Sequence, residues 1–301
     1  MYEISVRRPS DEGFQSAPPL WIDPGFLLAV EELQQIDAYQ LLCHKGEELV
    51  AVLPLYEKKN LGIRRLIIPM SAYYQGLWFF WPSGRKENRI LLDELKISEN
   101  IATFLRKRYR RIHLNLGVQN YDIRGFNWAG FKARPLYTFI QDLSHPFTPL
   151  KDERKKIRGA AKQELRLEKA FYPDKFITML RELYHRKNKN LGVSWGRFRN
   201  WMETLHDQEL LNQYNLMHDE EIISSNLMLG APTDDTTYSI MRCTTDLGLK
   251  QGASTLHSRL LVENLKDRYQ FIDFCGANYP EVARFKAALG FSLRVFFQIE
   301  A

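Results

Sequence analysis

The 301-residue sequence predicts a duplicated α/β fold. Two observations carry this expectation. LCHKGEELVAVLPL (42–55) is echoed by LMHDEEIISSNLML (216–229), and each reads as a β-prone run, a tight acidic turn and a second β-prone run, which together spell a hairpin. Further along, IHLNLGVQNYDIRGFNWAGFKARPLYTFIQDL (112–143) is echoed by FIDFCGANYPEVARFKAALGFSLRVFFQIE (271–300). Each of these has a strand, a Gly, an Asn-Tyr pair, a turn or helix, a Gly-Phe and a last aromatic-rich strand. One matched hairpin is a weak signal. Two matched blocks in the same order mark an internal repeat.

The remaining elements follow in chain order. An irregular N-terminal stretch with Pro9, Pro18, Pro19 and Pro24 is expected before the first core element. A helix over 99–108 leads into the first Asn-Tyr block. Pro146 and Pro149 in SHPFTPLKDERKK break regular structure and set the boundary between two domains, 1–147 and 148–301. Thr148 and Pro149 read as an N-cap and first helical position, with Asp152 and Glu153 favoured by the helix dipole, so a helix is expected from about 149 to 170. Helices are also expected over 174–188 and 196–206. Another is expected over 253–268, where Leu256, Leu260, Leu261 and Leu265 follow helical spacing.

Composition narrows the class. At 45% hydrophobic and 26% charged residues, a globular core is expected. The net charge of +6 suits anionic partners but is also common in proteins that bind nothing charged. Cys43, Cys243 and Cys275 form no CxxC pair, and their odd number is a poor disulfide framework. Each lies in an apolar stretch, as a small buried hydrophobe would, which fits a reducing compartment. MYEISVRRPSDEGF has no apolar leader core, and GLWFFW (76–81) is far short of a bilayer span of about 20 residues. A cytoplasmic protein without stable membrane insertion is expected.

Four features bear on chemistry. The basic helix 151–169 reads as a wall beside a phosphate-bearing substrate, or as a solvated face with pairs such as Asp152–Lys156. The loop TTDLGLKQGAST (244–255), with Lys250, has the form of a strand-to-helix anion site or of a plain connection, and matches no P-loop or dinucleotide fingerprint. The seven histidines form no metal-ligand spacing, so no metal is expected. In DFCGANYPEVARFKAALGF (273–291), Val282, Phe285 and Leu289 form the apolar stripe of a helix, with Lys286 at its edge. Lys286 is then either a snorkelling side chain or a cation placed to stabilise an oxyanion.

These residues also resemble those of the Fem family, the methicillin-resistance factors and peptidoglycan-bridge aminoacyltransferases, together with their wider acyltransferase relatives in the GNAT superfamily. A basic signature runs through RKKIRGAAKQE as Arg154, Ile157, Arg158, Ala160 and Lys162. A second, D-x-x-G followed by F-K-x-x-x-G-F, runs through Asp273, Gly276, Phe285, Lys286, Gly290 and Phe291. The resemblance covers roughly residues 40–300.

The resemblance implies two tandem GNAT-like (acyl-CoA N-acyltransferase-like) α/β domains with mixed sheets flanked by helices. It implies transfer of an acyl or aminoacyl group from acyl-CoA or aminoacyl-tRNA to an amine of a cell-wall or polysaccharide precursor, with no covalently bound cofactor. It places Phe285 and Lys286 at the transfer site, and Arg186, Tyr184, Arg158, Lys250 and Tyr279 around a substrate. LKQGAS (249–254) supplies only part of the pyrophosphate-binding signature of the superfamily, and the long helical arm of some members is absent from 150–210. Both donors stay open, as does a catalytically silent module that binds an anionic envelope precursor. In the first copy the lysine, Lys132, follows Gly-Phe instead of preceding it, which assigns the chemistry to the second copy.

Overall fold

The computed structural model describes residues 2–60 and 62–301, and these form two compact units, the described residues up to 136 with 295–301, and residues 137–294. In chain order the first unit holds β1 (Tyr2–Arg7), α1 (Pro24–Gln34), β2 (Asp37–Lys45), β3 (Glu48–Asn60), β4 (Ile63–Leu66), β5 (Trp78–Phe79), α2 (Glu87–Arg108), β6 (Arg111–Asn115) and α3 (Arg124–Trp128). β7 (Lys132–Asp142) carries the chain into the second unit. There follow α4 (Lys151–Ala160), β8 (Arg166–Lys169), α5 (Pro173–Arg186), α6 (Trp195–Asp207), β9 (Leu211–His218), β10 (Glu221–Leu229), β11 (Thr236–Thr244), α7 (Asp246–Lys250), α8 (Ala253–Leu265), β12 (Phe271–Asp273) and α9 (Pro280–Ala288). β13 (Ser292–Glu300) returns to the first unit.

Each unit is built on a mixed sheet. In the first the order is β1-β2-β3-β4-β6, with the end of β13 beside β6; β4 and β6 are parallel and the other neighbours antiparallel. In the second it is β7-β12-β11-β10-β9-β8, and only β11 and β12 are parallel. Both expected hairpins are present, as β2–β3 and β9–β10. α2 buries Ile97, Ile101 and Leu105, four residues apart on one face, against the first sheet.

On β10, Ser224 and Ser225 point to opposite faces, as successive strand residues must. Ser224 meets His257 of α8. Ser225 bonds Asn215 and Gln213, which in turn reach the Ala170 carbonyl and the Tyr172 N–H just before α5. The second sheet is therefore covered on both faces.

Several local expectations differ from the structure. The N-terminal stretch includes β1, which pairs with β2 from Tyr2↔Lys45 to Arg7↔Gln40. Pro24 opens α1 behind an Asp23 cap on the Phe26 N–H, so the proline begins order there. The helix expected to reach about 170 ends at Ala160. After one 3-10 turn, Glu164 turns left-handed (φ 52°) and Arg166–Lys169 joins β9 as an edge strand, because sheet pairing outweighs the helix preference of RLEK. Its first turn has no side-chain cap, and the pairs on it are Lys155–Asp152 and Lys156–Glu153 rather than Asp152–Lys156. The loop after β11 contains the short helix α7, capped by Thr245 on the Gly248 N–H.

The second repeated block does the same work in both units. Asn120 Oδ1 accepts from the Leu77 N–H and its Nδ2 donates to the Leu77 carbonyl (3.0 and 2.9 Å). Asn278 brackets Tyr137 in the same way (3.0 and 3.3 Å). Tyr121 and Tyr279 beside them are exposed, and the Gly-Phe phenylalanines, Phe131 and Phe291, are buried. The repeat is thus one of contacts as well as letters.

Candidate active site in the second unit

β11 and β12 pair over only three positions, Thr236↔Phe271, Thr237↔Ile272 and Tyr238↔Asp273. Beyond them the strands part. β11 continues along β10 to Thr244, while Phe274 and Ala277 donate to Phe139 and Tyr137 at β7. The cause is local. Asp273 Oδ1 accepts from the Cys275 N–H (2.8 Å) and from Thr138 Oγ1 (2.5 Å), which turns the chain at once. Cys275 (φ 38°) and Gly276 (φ 66°) are then both left-handed. Glycine takes that conformation freely, whereas Cys275 is strained and held by its surroundings.

This curl aims three successive carbonyls at one point, occupied by the Lys286 ammonium. It donates to Phe274 O (2.5 Å), to Cys275 O and to Gly276 O (2.8 Å). Lys286 is 9% exposed. Burial pushes its pKa down to about 8, opposed by Cys275 and Asp273, with Arg242 adding to the fall. The expected stripe of α9 changes accordingly. Lys286 and Leu289 are buried, while Val282 and Phe285 are only partly so, because the carbonyl arc draws the lysine inward. Phe285 packs against the aromatic and aliphatic core that includes Phe274, Phe291 and Leu289.

Arg242 on β11, whose charge adds to the fall in the Lys286 pKa, is a further residue of the site that no sequence motif marks. Its Nε donates to Asn226 Oδ1 (3.1 Å), and its Nη1 donates to Ser258 Oγ (2.7 Å) and Ser254 O (3.1 Å). Its Nη2 is out of solvent and unpaired. No carboxylate balances it among its contacts, and burial pushes it down to about 10. His257, fully buried, meets Ser224 Oγ through Nδ1 (2.9 Å), and its Nε2 is unpaired. Burial, then the charge of Arg242, holds its pKa well below the usual range, so it is neutral. Ser224, Thr244 and Ser254 continue the chain of hydroxyls at 2.9 and 3.0 Å. One signal was present in the sequence: Arg242 interrupts an otherwise uncharged strand, TTYSIMRCT.

The other expected site residues divide into groups. Arg186 donates to Thr244 O (3.1 Å) and pairs with Asp246, which pins the end of β11 to the start of α7. Tyr184, its pKa raised by burial, sits 6.4 Å from Trp195 and lines a depression of about 720 Å³ with Lys189. Lys189 Nζ lies 4.7 Å over the Tyr279 ring. Arg186, Tyr184 and Tyr279 are thus linked around one end of β11 and the loop before α9. Lys250 ends α7 with an exposed side chain. Arg158 lines a different depression, between α4 and α8. The three cysteines are buried free thiols, and burial pushes Cys243 up to about 12 and Cys275 well above its usual value.

The corresponding place in the first unit is filled by its own chain. Beyond the parallel pair Leu66↔Ile112, buried Gln75 donates its backbone N–H to Asn115 O (2.6 Å) and its side chain to Ile67 O (3.0 Å). Gly76 lets that loop pass, since a Cβ there would lie 2.3 Å from Asn120 Oδ1 and 2.6 Å from the Gly117 nitrogen.

No protein-family model and no curated protein matches the sequence. Solved structures do match. FemX aligns over 91% of this chain and 90% of its own, at 13% identity and a TM-score of 0.65. A tandem GNAT protein from the clavulanic acid biosynthesis pathway aligns over 100% and 98%, at 14% identity and TM-score 0.56. L-PGS from Bacillus licheniformis aligns over 91% and 86%, at 13% identity and TM-score 0.57. Likeness at these identities is one of architecture, and it agrees with the element order and repeat described above: the chain has a Fem-like tandem GNAT fold.

Proposed function

We propose that the chain is an acyltransferase whose second unit moves an acyl or aminoacyl group from an activated ester or thioester to an amine. The observation that carries this is the parting of β11 and β12 beside Lys286, which is buried, and Arg242, which is half-buried, two cations without a carboxylate hydrogen bond. In this proposal the donor carbonyl enters the parted strands. The acceptor nitrogen attacks the carbonyl carbon, the C–N bond forms and negative charge develops on oxygen. The carbon–oxygen or carbon–sulfur bond to the leaving group then breaks, and the proton lost by nitrogen passes to the leaving atom through solvent.

Lys286 is the residue proposed to face that oxyanion. Its bond to Gly276 O, at 2.8 Å, is the partly exposed one of its three and is the one exchanged for substrate oxygen. Arg242 Nη2 supplies the second donor. Such preorganised donors contribute about 3 kcal/mol each to transition-state binding. Phe285 backs Lys286 as part of the packed wall. Tyr184, Arg186, Lys250 and Tyr279 belong to the approach for the anionic part of a substrate. The proposed donors are acyl-CoA or aminoacyl-tRNA, the acceptor is the amine of a cell-wall or polysaccharide precursor, and the compartment is the cytoplasm; the Fem resemblance and the architecture shared with FemX support these choices.

One observation favours a second reading. All three Lys286 protons already meet backbone carbonyls, as in a module that binds an envelope precursor without transferring to it. A thermal-shift screen with acyl-CoAs, uncharged tRNA and nucleotide-linked muropeptides identifies the partner. With a substrate pair in hand, Lys286→Met is expected to lower kcat by at least about 100-fold. Unchanged kcat sinks the transferase reading.

A further inference from the structure

The groove between α4 and α8 has a volume of about 1030 Å³ and takes no part in the proposed chemistry. Lys151, Arg154 and Arg158 line it from one face of α4, at spacings of three and four, and Arg259 and Lys266 line it from α8. Glu263 is the acid in the lining, and it is paired with Arg259 at 2.7 Å. Among the described residues no acid pairs with Lys151, Arg154, Arg158 or Lys266. Four like charges kept together without counter-charges repel one another, an arrangement that an anionic partner reverses.

The floor of the groove is apolar, with Ile157 and Val262 buried and Phe147 partly so. Leu150, just before α4 and next to Lys151, is 64% exposed. Cations around an apolar floor, with an outward leucine at the rim, match the boundary between phosphate headgroups and acyl chains. Nucleic acid matches less well. Single strands are held on stacking rings, and Phe147 is committed to Phe291, with ring centroids 5.9 Å apart. Among the described residues no helix is long and apolar enough to cross a membrane.

We infer that the α4–α8 groove, with Leu150 at its rim, is a docking surface for the phosphate headgroups of an anionic lipid bilayer. This inference stands apart from the proposed chemistry and concerns where the protein sits.

The test is co-sedimentation of the full chain with vesicles of 30% phosphatidylglycerol in phosphatidylcholine, and with phosphatidylcholine alone. The expected result is partitioning onto the anionic vesicles only, lost when salt is raised from 0.1 to 1 M. Arg154→Gln with Arg158→Gln is expected to weaken it about 25-fold, about fivefold for each cation removed. Both side chains are exposed, so the unfolding midpoint of the double variant should match that of the unchanged protein. Leu150→Ser is expected to weaken binding at fixed salt. Equal partitioning onto both vesicle types, or full partitioning by the double variant, overturns the inference. So does displacement from the vesicles by a 20-nucleotide RNA at equimolar phosphate, which assigns the groove to nucleic acid.

Discussion

Replacing Lys286 by methionine keeps most of the side-chain volume and removes the ammonium. Two opposed effects follow in the folded state. Three carbonyls lose a charged donor, at roughly 1 to 3 kcal/mol for each group left unsatisfied, so the variant is expected to lose about 2 to 4 kcal/mol net at pH 7 once the relief of cation burial is counted. The burial cost itself is readable from pH. A pKa of about 8 in place of 10.5 means that the unfolded chain holds the Lys286 proton over a range where the folded chain has released it. Stability from this group therefore rises with pH between about 8 and 10.5, by about 3 kcal/mol in full and about 2 kcal/mol by pH 9.5.

Buried thiols and phenols act in the opposite direction. Cys43 is pushed up to about 11 and Cys243 to about 12, so both lose stability as pH climbs past the unfolded thiol value. The difference between the two proteins isolates the lysine. Urea unfolding at pH 7.0 and 9.5, under reducing conditions, should show the stability gap between unchanged protein and Lys286→Met widening by about 2 kcal/mol at the higher pH. Parallel curves at the two pH values refute the description of Lys286 as a buried, carbonyl-held cation.

Three further outcomes are expected. Arg242→Met leaves Asn226 and Ser258 without their cationic donor inside the second unit, and should cost about 2 to 3 kcal/mol in urea unfolding; Arg242→Lys should not restore it, because one ammonium cannot reproduce the fork that meets Asn226, Ser254 and Ser258. Asn120→Ala should cost about 2 kcal/mol and Asn278→Ala less than about 1 kcal/mol, since the first bracket is buried and the second exposed; equal losses would show that burial does not set the difference. Gly76→Ala places a methyl 2.6 Å from the Gly117 backbone nitrogen and should lower stability by about 2 kcal/mol or more, read as a drop in urea midpoint at unchanged slope.

The repeat was legible from spacing because a hairpin and a strand–Asn–Gly-Phe–strand block are short-range objects. Their letters specify turns, caps and alternation within a few residues. The same locality made 174–188 and 196–206 readable as α5 and α6 to within two residues at each end. Where a segment's state depended on a distant partner, the letters misled. RLEK (166–169) has helical preference and became an edge strand because β9 offered unpaired backbone groups. Tyr2–Arg7 became a strand because β2 lay open beside it.

The candidate site shows the same division. That a lysine follows Phe285 on a mostly apolar helix was visible from sequence. What that lysine touches was not, because the three carbonyls lie 10 to 12 residues earlier and converge only through two left-handed residues. Arg242 stands out in the sequence only as the one charge in its strand, and its role is not legible there because its partners come from β10 and α8, up to 16 residues away. The amino-acid sequence by itself determined the hairpins, the order of elements and the doubling of the fold, since each follows from neighbours in the chain. Tertiary structure alone decided that the second unit keeps its parallel strands apart while Gln75 closes those of the first, because both outcomes depend on which distant backbone groups are satisfied, and by what.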